Sequence, residues 1–328
     1  MSSSHTDDAN VMDAPLGGHH EPRERAASTS TFYILWLALV FCIIWSSAFV
    51  AGKIALESSP PLTLLVMRFV LAGVVMLLFA WLLGERLRVD GRTFINLLLL
   101  GFLNNTAYLG LSFTGLATVP SGLVTIIAAT TPLMTMVLAI FLLGERIAVR
   151  QLIGLMLGFG GVLFIFHRSV SDVADISPLG IGYVVLGTLA LSLGTILFKR
   201  MRVEMSLLSV NAIQTLLGGL LLLPFALALE DVSSVAFDTR LLMSLIYLVL
   251  VVSVGAVLLW LRILSLTSAS TASSFHFMTP VFGLVIAWLL LAEPVYWFEA
   301  VGVVPVALGI LLVVMRGAAA SKQDQGAR

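Results

Sequence analysis

The chain is poor in cysteine and in charge. One cysteine, Cys42, stands among 328 residues, so no internal disulfide forms, and nothing beside it points to reactivity. Charged residues make up 11% and sum to zero net charge, which leaves no basic footprint for nucleic acid. Catalytic signatures are missing too: there is no HExxH, no GxSxG and no Cys/His cluster. The string Gly110-Leu111-Ser112-Phe113-Thr114-Gly115 has the wrong spacing for a nucleophile elbow, and Gly52-Lys53 runs into Ile54, so no P-loop is present. These absences argue against an enzyme and against an ATP-driven pump acting alone. They imply no metal and no cofactor. His5, His19 and His20 belong to a polar stretch that reads as solvated tail rather than as a metal site.

What is abundant is apolar. Hydrophobic residues reach 59%, and mean hydropathy is +1.06, far from the composition of a soluble domain. They gather in runs of about 17–25 residues, the helix length that crosses ~30 Å of hydrocarbon at ~1.5 Å per residue. A β-barrel would alternate over runs of about ten. Ten spans are expected, at 31–52, 62–83, 93–115, 120–142, 150–166, 178–198, 208–229, 241–264, 270–291 and 297–315. The lipid bilayer is thus the first partner. Residues 1–30 have no apolar segment and read as a disordered cytoplasmic tail rather than a cleaved signal peptide; 317–328 form a second polar tail.

With both termini inside, fourteen of the 18 Lys and Arg fall on the cytoplasmic side. Lys53, Arg168 and Arg240 fall outside, and Arg68 lies within a span. This positive-inside asymmetry fits an even number of spans and cytoplasmic N- and C-termini.

The chain also repeats itself. Thr131-Pro132, Glu145, Gly154 and Gly161 recur 148 residues later as Thr279-Pro280, Glu293, Gly302 and Gly309. Ser46 and Lys53 recur at an offset of 146 as Ser192 and Lys199, which sets Arg68 against Gln214. Five spans per half turn the second half upside down. Arg146 and Arg150 accompany Glu145 on the cytoplasmic side, whereas Pro294 follows Glu293 on the outer side, as inversion requires. Inverted repeats of this kind place a binding site at their interface near mid-membrane. The expected organisation is a first five-helix repeat over 31–169 and an inverted second over 170–316.

Trp45-Ser46-Ser47-Ala48-Phe49, Pro61 with Arg68, Thr131-Pro132, Gly144-Glu145, Gln151 and Gly154 come in order in the first half. Thr279-Pro280, Ala292-Glu293, Gly302 and Gly309 follow in the second. Their order and duplication resemble the EamA-type transporters of the drug/metabolite transporter (DMT) superfamily, over about 31–316. The resemblance implies an all-α integral membrane fold, with ten transmembrane helices in two inverted repeats forming a basket around a central cavity. It also implies carriage of small metabolites across the plasma membrane. Ala292 departs from the glycine usual there, and the N-terminal tail is long.

Candidate cavity residues are the polar and aromatic groups that a lipid-facing span has no reason to carry. Arg68 is the one basic residue well inside a span, where a charge costs at least ~2.5 kcal/mol; it either binds an anionic group or snorkels to anchor a neighbour. Gln214, with Asn211 three residues earlier, offers uncharged hydrogen bonds in the opposite half. His276 suits substrate bonding, proton transfer or packing. Asn104 and Tyr108 share a helical face, with Asn105 beside them. Trp45 and Trp260 lie within spans and either stack on a substrate or pack. Ser46, Thr131 and Thr279 complete the set. Pro132 and Pro280 free the carbonyls of Ala128 and His276 and break their helices at matching places, the mark of a transport site or of a plain kink. Glu145 and Glu293 mark turns. Gly154 with Gly158 and Gly161, and Gly302 with Gly309, let the fifth and tenth helices approach; intramolecular packing is a simpler use for them than a homodimer.

The expected function is a secondary transporter, read as an exporter, that moves a small polar or amphiphilic metabolite by alternating access between the repeats. The alternative is a non-transport polytopic protein, lipid-handling or scaffolding, with an intramembrane enzyme fitting least. All 18 Asp and Glu lie in tails, loops or span ends, so no buried acid marks a proton path.

Overall fold

The structure, a computed structural model, describes residues 31–85, 89–116, 118–119, 121–171, 177–201, 204–291 and 297–314. Among them are ten helices long and apolar enough to cross a membrane, and no strand. The first half holds α1 (Thr31–Ala55), α2 (Pro61–Leu82), α3 (Gly91–Leu116), α4 (Ser121–Ala128 and Thr131–Leu143) and α5 (Val149–Ser171). The second holds α6 (Pro178–Arg200), α7 (Leu207–Leu229) and α8 (Thr239–Leu266). It continues with α9, formed by Ala269–Ser274, a 3-10 turn at Phe275–Phe277 and Met278–Leu291, and ends with α10 (Trp297–Val314).

Local chemistry starts and stops these helices. Pro61 opens α2, where a missing N–H costs nothing. Asp90, Ser177, Ser206, Asp238 and Ser268 each accept a backbone N–H at the start of α3, α6, α7, α8 and α9. At Asp238, bonds from Leu241 N and Ser58 Oγ hold the carboxyl below its ordinary range. Gly144 ends α4 at φ 67°, a left-handed position that favours glycine.

The halves answer each other contact for contact. Helix α2 lies along α7, and α5 along α10. Helix α1 packs on α8 and α9, while its counterpart α6 packs on α3 and α4. The α5–α10 seam is a backbone-to-backbone approach: a Cβ on Gly154 would stand 2.6 Å from Gly309 O, and one on Gly309 would stand 2.5 Å from Gly154 O. Gly161 and Gly302 meet in the same way further along. The repeated glycines are therefore engaged within one chain.

Carboxylates past the helix ends reach across to the other half. Glu230, after α7, accepts Leu62 N and Thr63 N at 2.7 Å each and Thr63 Oγ1 at 2.8 Å, capping α2. Glu85, after α2, accepts the hydroxyls of Ser206, at 2.5 Å, and Ser209, at the start of α7. The pair α2 and α7 thus cap each other at opposite ends. Glu145, after α4, accepts Ala269 N and Ser270 Oγ at 2.8 Å each, capping α9. The turn that Glu145 was expected to mark is made by Gly144; the Glu145 carboxylate serves the other half. Its repeat partner Glu293, with Ala292 and Pro294, lies outside the described residues, as do the two tails. Lys199 donates to Leu264 O at 2.7 Å and Thr267 O at 2.5 Å, so a cation meets the end of α8 and an anion the start of α9.

Cys42 is fully buried in the core, and its thiol donates to Phe275 O at 3.3 Å. A water-soluble maleimide should therefore leave the folded protein unlabelled and react after denaturation. Prompt labelling of the folded protein would contradict this packing.

Candidate functional site

Both Thr-Pro breaks are present. Helix α4 is interrupted at 129–130, and α9 tightens into its 3-10 turn just before Thr279-Pro280. Each threonine supplies what its proline removes: Thr131 Oγ1 donates to Ala128 O at 2.6 Å, and Thr279 Oγ1 to His276 O at 2.7 Å. Serines from the opposite half lie against these breaks. Ser46 Oγ is 2.8 Å from Thr279 O, and Ser192 Oγ is 3.4 Å from Thr131 O. The hydroxyls of Ser46, Thr131 and Thr279 are thus committed to backbone carbonyls, and these residues do not line the central cavity.

A second matched feature was not foreseen. Helix α3 widens into a π-helix over Phe102–Gly110, and α8 does so over Leu248–Ala256, nine residues each and 146 apart. Wide turns of this kind concentrate at functional sites. Nothing in the apolar pattern announces them, because an α-turn and a π-turn differ by one residue of hydrogen-bond register.

Between the halves lies a narrow cavity, with about 40 Å³ open to the centres of water-sized molecules. Trp45, Arg68, Asn104, Tyr108, Gln214, Trp260 and His276 line it, brought together from six helices. Ser253, Phe41 and Thr215 join them. Ser253 was legible as the lone hydroxyl in an apolar run; Phe41 was one phenylalanine among 19.

The cavity has two unlike walls. On the polar wall Arg68 is buried rather than snorkelling, and its Nε donates to Ser253 Oγ at 2.8 Å. Asn211 lies behind this wall and donates to Ser253 O at 2.9 Å. Gln214 Nε2 donates to Asn211 Oδ1 at 3.1 Å, and Asn104 Nδ2 to Gln214 Oε1 at 3.2 Å. A continuous amide chain therefore joins the two π-helical segments. The other wall is aromatic: Trp260 stands 4.7 Å from His276 and 5.5 Å from Phe41, centroid to centroid, and Trp45 is 5.5 Å from Phe41. Two buried polar atoms of the lining, Asn104 Oδ1 and His276 Nε2, have no partner. Buried polar atoms are almost always paired, so such orphans mark this lining as a place where a polar ligand can bind. Among the described residues no three His, Cys, Asp or Glu converge as metal ligands would.

An inverted ten-helix basket with a two-walled cavity at the repeat interface belongs to the class of membrane carriers. The model of the EamA-like transporter family matches residues 32–167 and 178–315. The chain belongs to that family, within the drug/metabolite transporter superfamily. It is 24% identical over 270 residues to the uncharacterized transporter YoaV of Bacillus subtilis (strain 168), covering 82% of this chain and 92% of the relative. It is 28% identical over 282 residues to the uncharacterized transporter YvbV of the same strain, covering 84% and 90%. It is 24% identical over 274 residues to the uncharacterized inner membrane transporter YedA of Escherichia coli (strain K12), covering 83% and 88%. A solved crystal structure shares the fold, with a TM-score of 0.73 at 17% identity over 86% of this chain and 96% of that one.

Proposed function

We propose that the protein is a secondary transporter that exports a small polar or amphiphilic metabolite through the central cavity by alternating access. The observation that carries this reading is the cavity itself. A buried cation and an amide chain face an aromatic wall at the repeat interface, and Asn104 Oδ1 and His276 Nε2 stand there unpartnered. With about 40 Å³ of room, the cavity is too small for a metabolite in the conformer described, and cargo enters only after the halves move. The orientation proposed has both termini in the cytoplasm and the protein in the plasma membrane. Glu145 then joins the halves on the cytoplasmic side.

Purified protein in proteoliposomes, challenged with a broad metabolite panel, tests the reading. At least one compound should cross with saturable kinetics. Arg68→Ala should cut its rate at least tenfold and His276→Ala severalfold, with melting curves confirming folded variants. Folded wild-type protein that moves no compound, or rates unchanged in both variants, would count against transport through this cavity.

A further inference from the structure

We infer that the cavity takes a monoanion carrying an uncharged hydrogen-bond donor, and that the membrane potential drives its export. This rests on the carrier reading above and goes further, to the charge of the cargo and the source of the driving force.

The charge inventory comes first. Arg68 lines the cavity, and among the described residues no Asp or Glu does. A guanidinium stays protonated in proteins, so the cavity carries a permanent positive charge. Arg68 is 6% exposed, and Ser253 holds its Nε, which leaves the two Nη groups without a protein acceptor among the described residues. That fork matches the two oxygens of a carboxylate. An anion bound there returns the site to neutrality. An ammonium group would meet Arg68 with no acid to offset the repulsion.

The rest of the lining supplies the other features. From Ser253 the chain through Asn211 and Gln214 ends at Asn104, whose Oδ1 is an acceptor without a donor. His276 Nε2 is similarly unpartnered on the facing wall. A hydroxyl or amide N–H on the cargo satisfies the Asn104 oxygen without adding charge. Once the halves have moved, a flat apolar body can lie beside Phe41, Trp45 and Trp260; Trp260 already stacks on Phe41, and Trp45 is tilted against it.

The driving force follows. Among the described residues no carboxylate lines the cavity to carry a proton with the anion. Each cycle therefore moves one negative charge, and an interior-negative membrane pushes that charge out. At about 2.3 kcal/mol per charge per 100 mV, the gradient sustained changes roughly tenfold for every 60 mV.

Four probes sharing one body separate the charge states: 3-(4-hydroxyphenyl)propionate, its primary amide, tyrosine and tyramine. Binding is read by thermal stabilisation of the wild-type protein in nanodiscs, so the ranking stands whether or not any variant folds. The anion should bind at least tenfold tighter than each of the other three, and Arg68→Gln should shrink that preference to about threefold or less. Tyrosine or tyramine binding as tightly as the anion overturns the inference while leaving the carrier reading intact. Binding by none of the four also overturns the inference, and the carrier reading is then judged by the metabolite panel alone. In the second arm, labelled anion enters proteoliposomes held at potentials set by potassium and valinomycin. Accumulation should rise about tenfold per 60 mV of interior-positive potential. Saturable but voltage-insensitive flux, as a proton carried on His276 would give, overturns potential-driven export and keeps transport.

Discussion

Valine at position 309 should leave no stably folded protein. The added Cβ would stand 2.5 Å from Gly154 O and 2.7 Å from Gly158 N, and both are backbone atoms of α5 that no rotamer change removes. Helices α5 and α10 must part along their length, and in lipid no hydrophobic effect compensates for lost van der Waals contact. The cost should exceed ~3 kcal/mol, the upper end of ordinary overpacking. Gly160, on the partner helix α5, gives the control, because nothing lies within 4 Å of a Cβ there. Gly160→Ala should hold or raise the melting temperature, as alanine is the better helix former by about 1 kcal/mol. Size-exclusion profiles and melting curves in detergent read both outcomes. A monodisperse Gly309→Val protein melting like wild type would show that this seam is not the close approach described.

Removing a cross-half cap should produce the second large effect. Without the Glu230 carboxylate, Leu62 N and Thr63 N at the start of α2 lose their acceptor, and Thr63 Oγ1 loses its partner. Bonds to a charged acceptor are the stronger kind, so Glu230→Ala should cost about 2–4 kcal/mol, while Glu230→Gln, which keeps one carbonyl oxygen, should lose less than half of that. Glu145→Ala should destabilise comparably through α9. The contrast is the Glu57–Arg240 ion pair at 2.9 Å, whose side chains are 56% and 71% exposed. Solvent screens it, so Glu57→Ala should change stability by ~1 kcal/mol or less. Equal melting shifts in Glu230→Ala and Glu57→Ala would mean that the caps are no more than surface ion pairs.

The membrane fold was legible because its causes are local. A segment in lipid must satisfy its own backbone and present apolar side chains, so ten apolar runs gave ten helices, with ends displaced by a few residues. The inverted repeat was legible because Thr-Pro, Glu and Gly kept their register between the halves. At Thr131 and Thr279 the sequence raised the right question and left the answer open. Proline frees a carbonyl, which reads as a transport-site contact or as a plain kink; in the structure the threonine hydroxyl before each proline takes that carbonyl. For Arg68 the alternatives were binding an anionic group or snorkelling to anchor a neighbour; the structure buries it against Ser253 on another helix, a contact no local pattern encodes.

The sequence by itself determined the solvent, the number of spans, the relation of the two halves and the short inventory of polar groups that lipid does not tolerate without cause. Each of those is written in composition or in residues a few turns apart. The tertiary structure alone decided which of those groups meet. It set Glu230 on α2 and Glu145 on α9, turned Ser46 and the two threonines onto backbone carbonyls, and joined Asn104, Gln214, Asn211 and Ser253 into one chain. Those of Glu230, Glu145, Ser46 and Asn104 each span more than a hundred residues of chain. Their geometry is fixed by how ten helices pack, which no local pattern encodes.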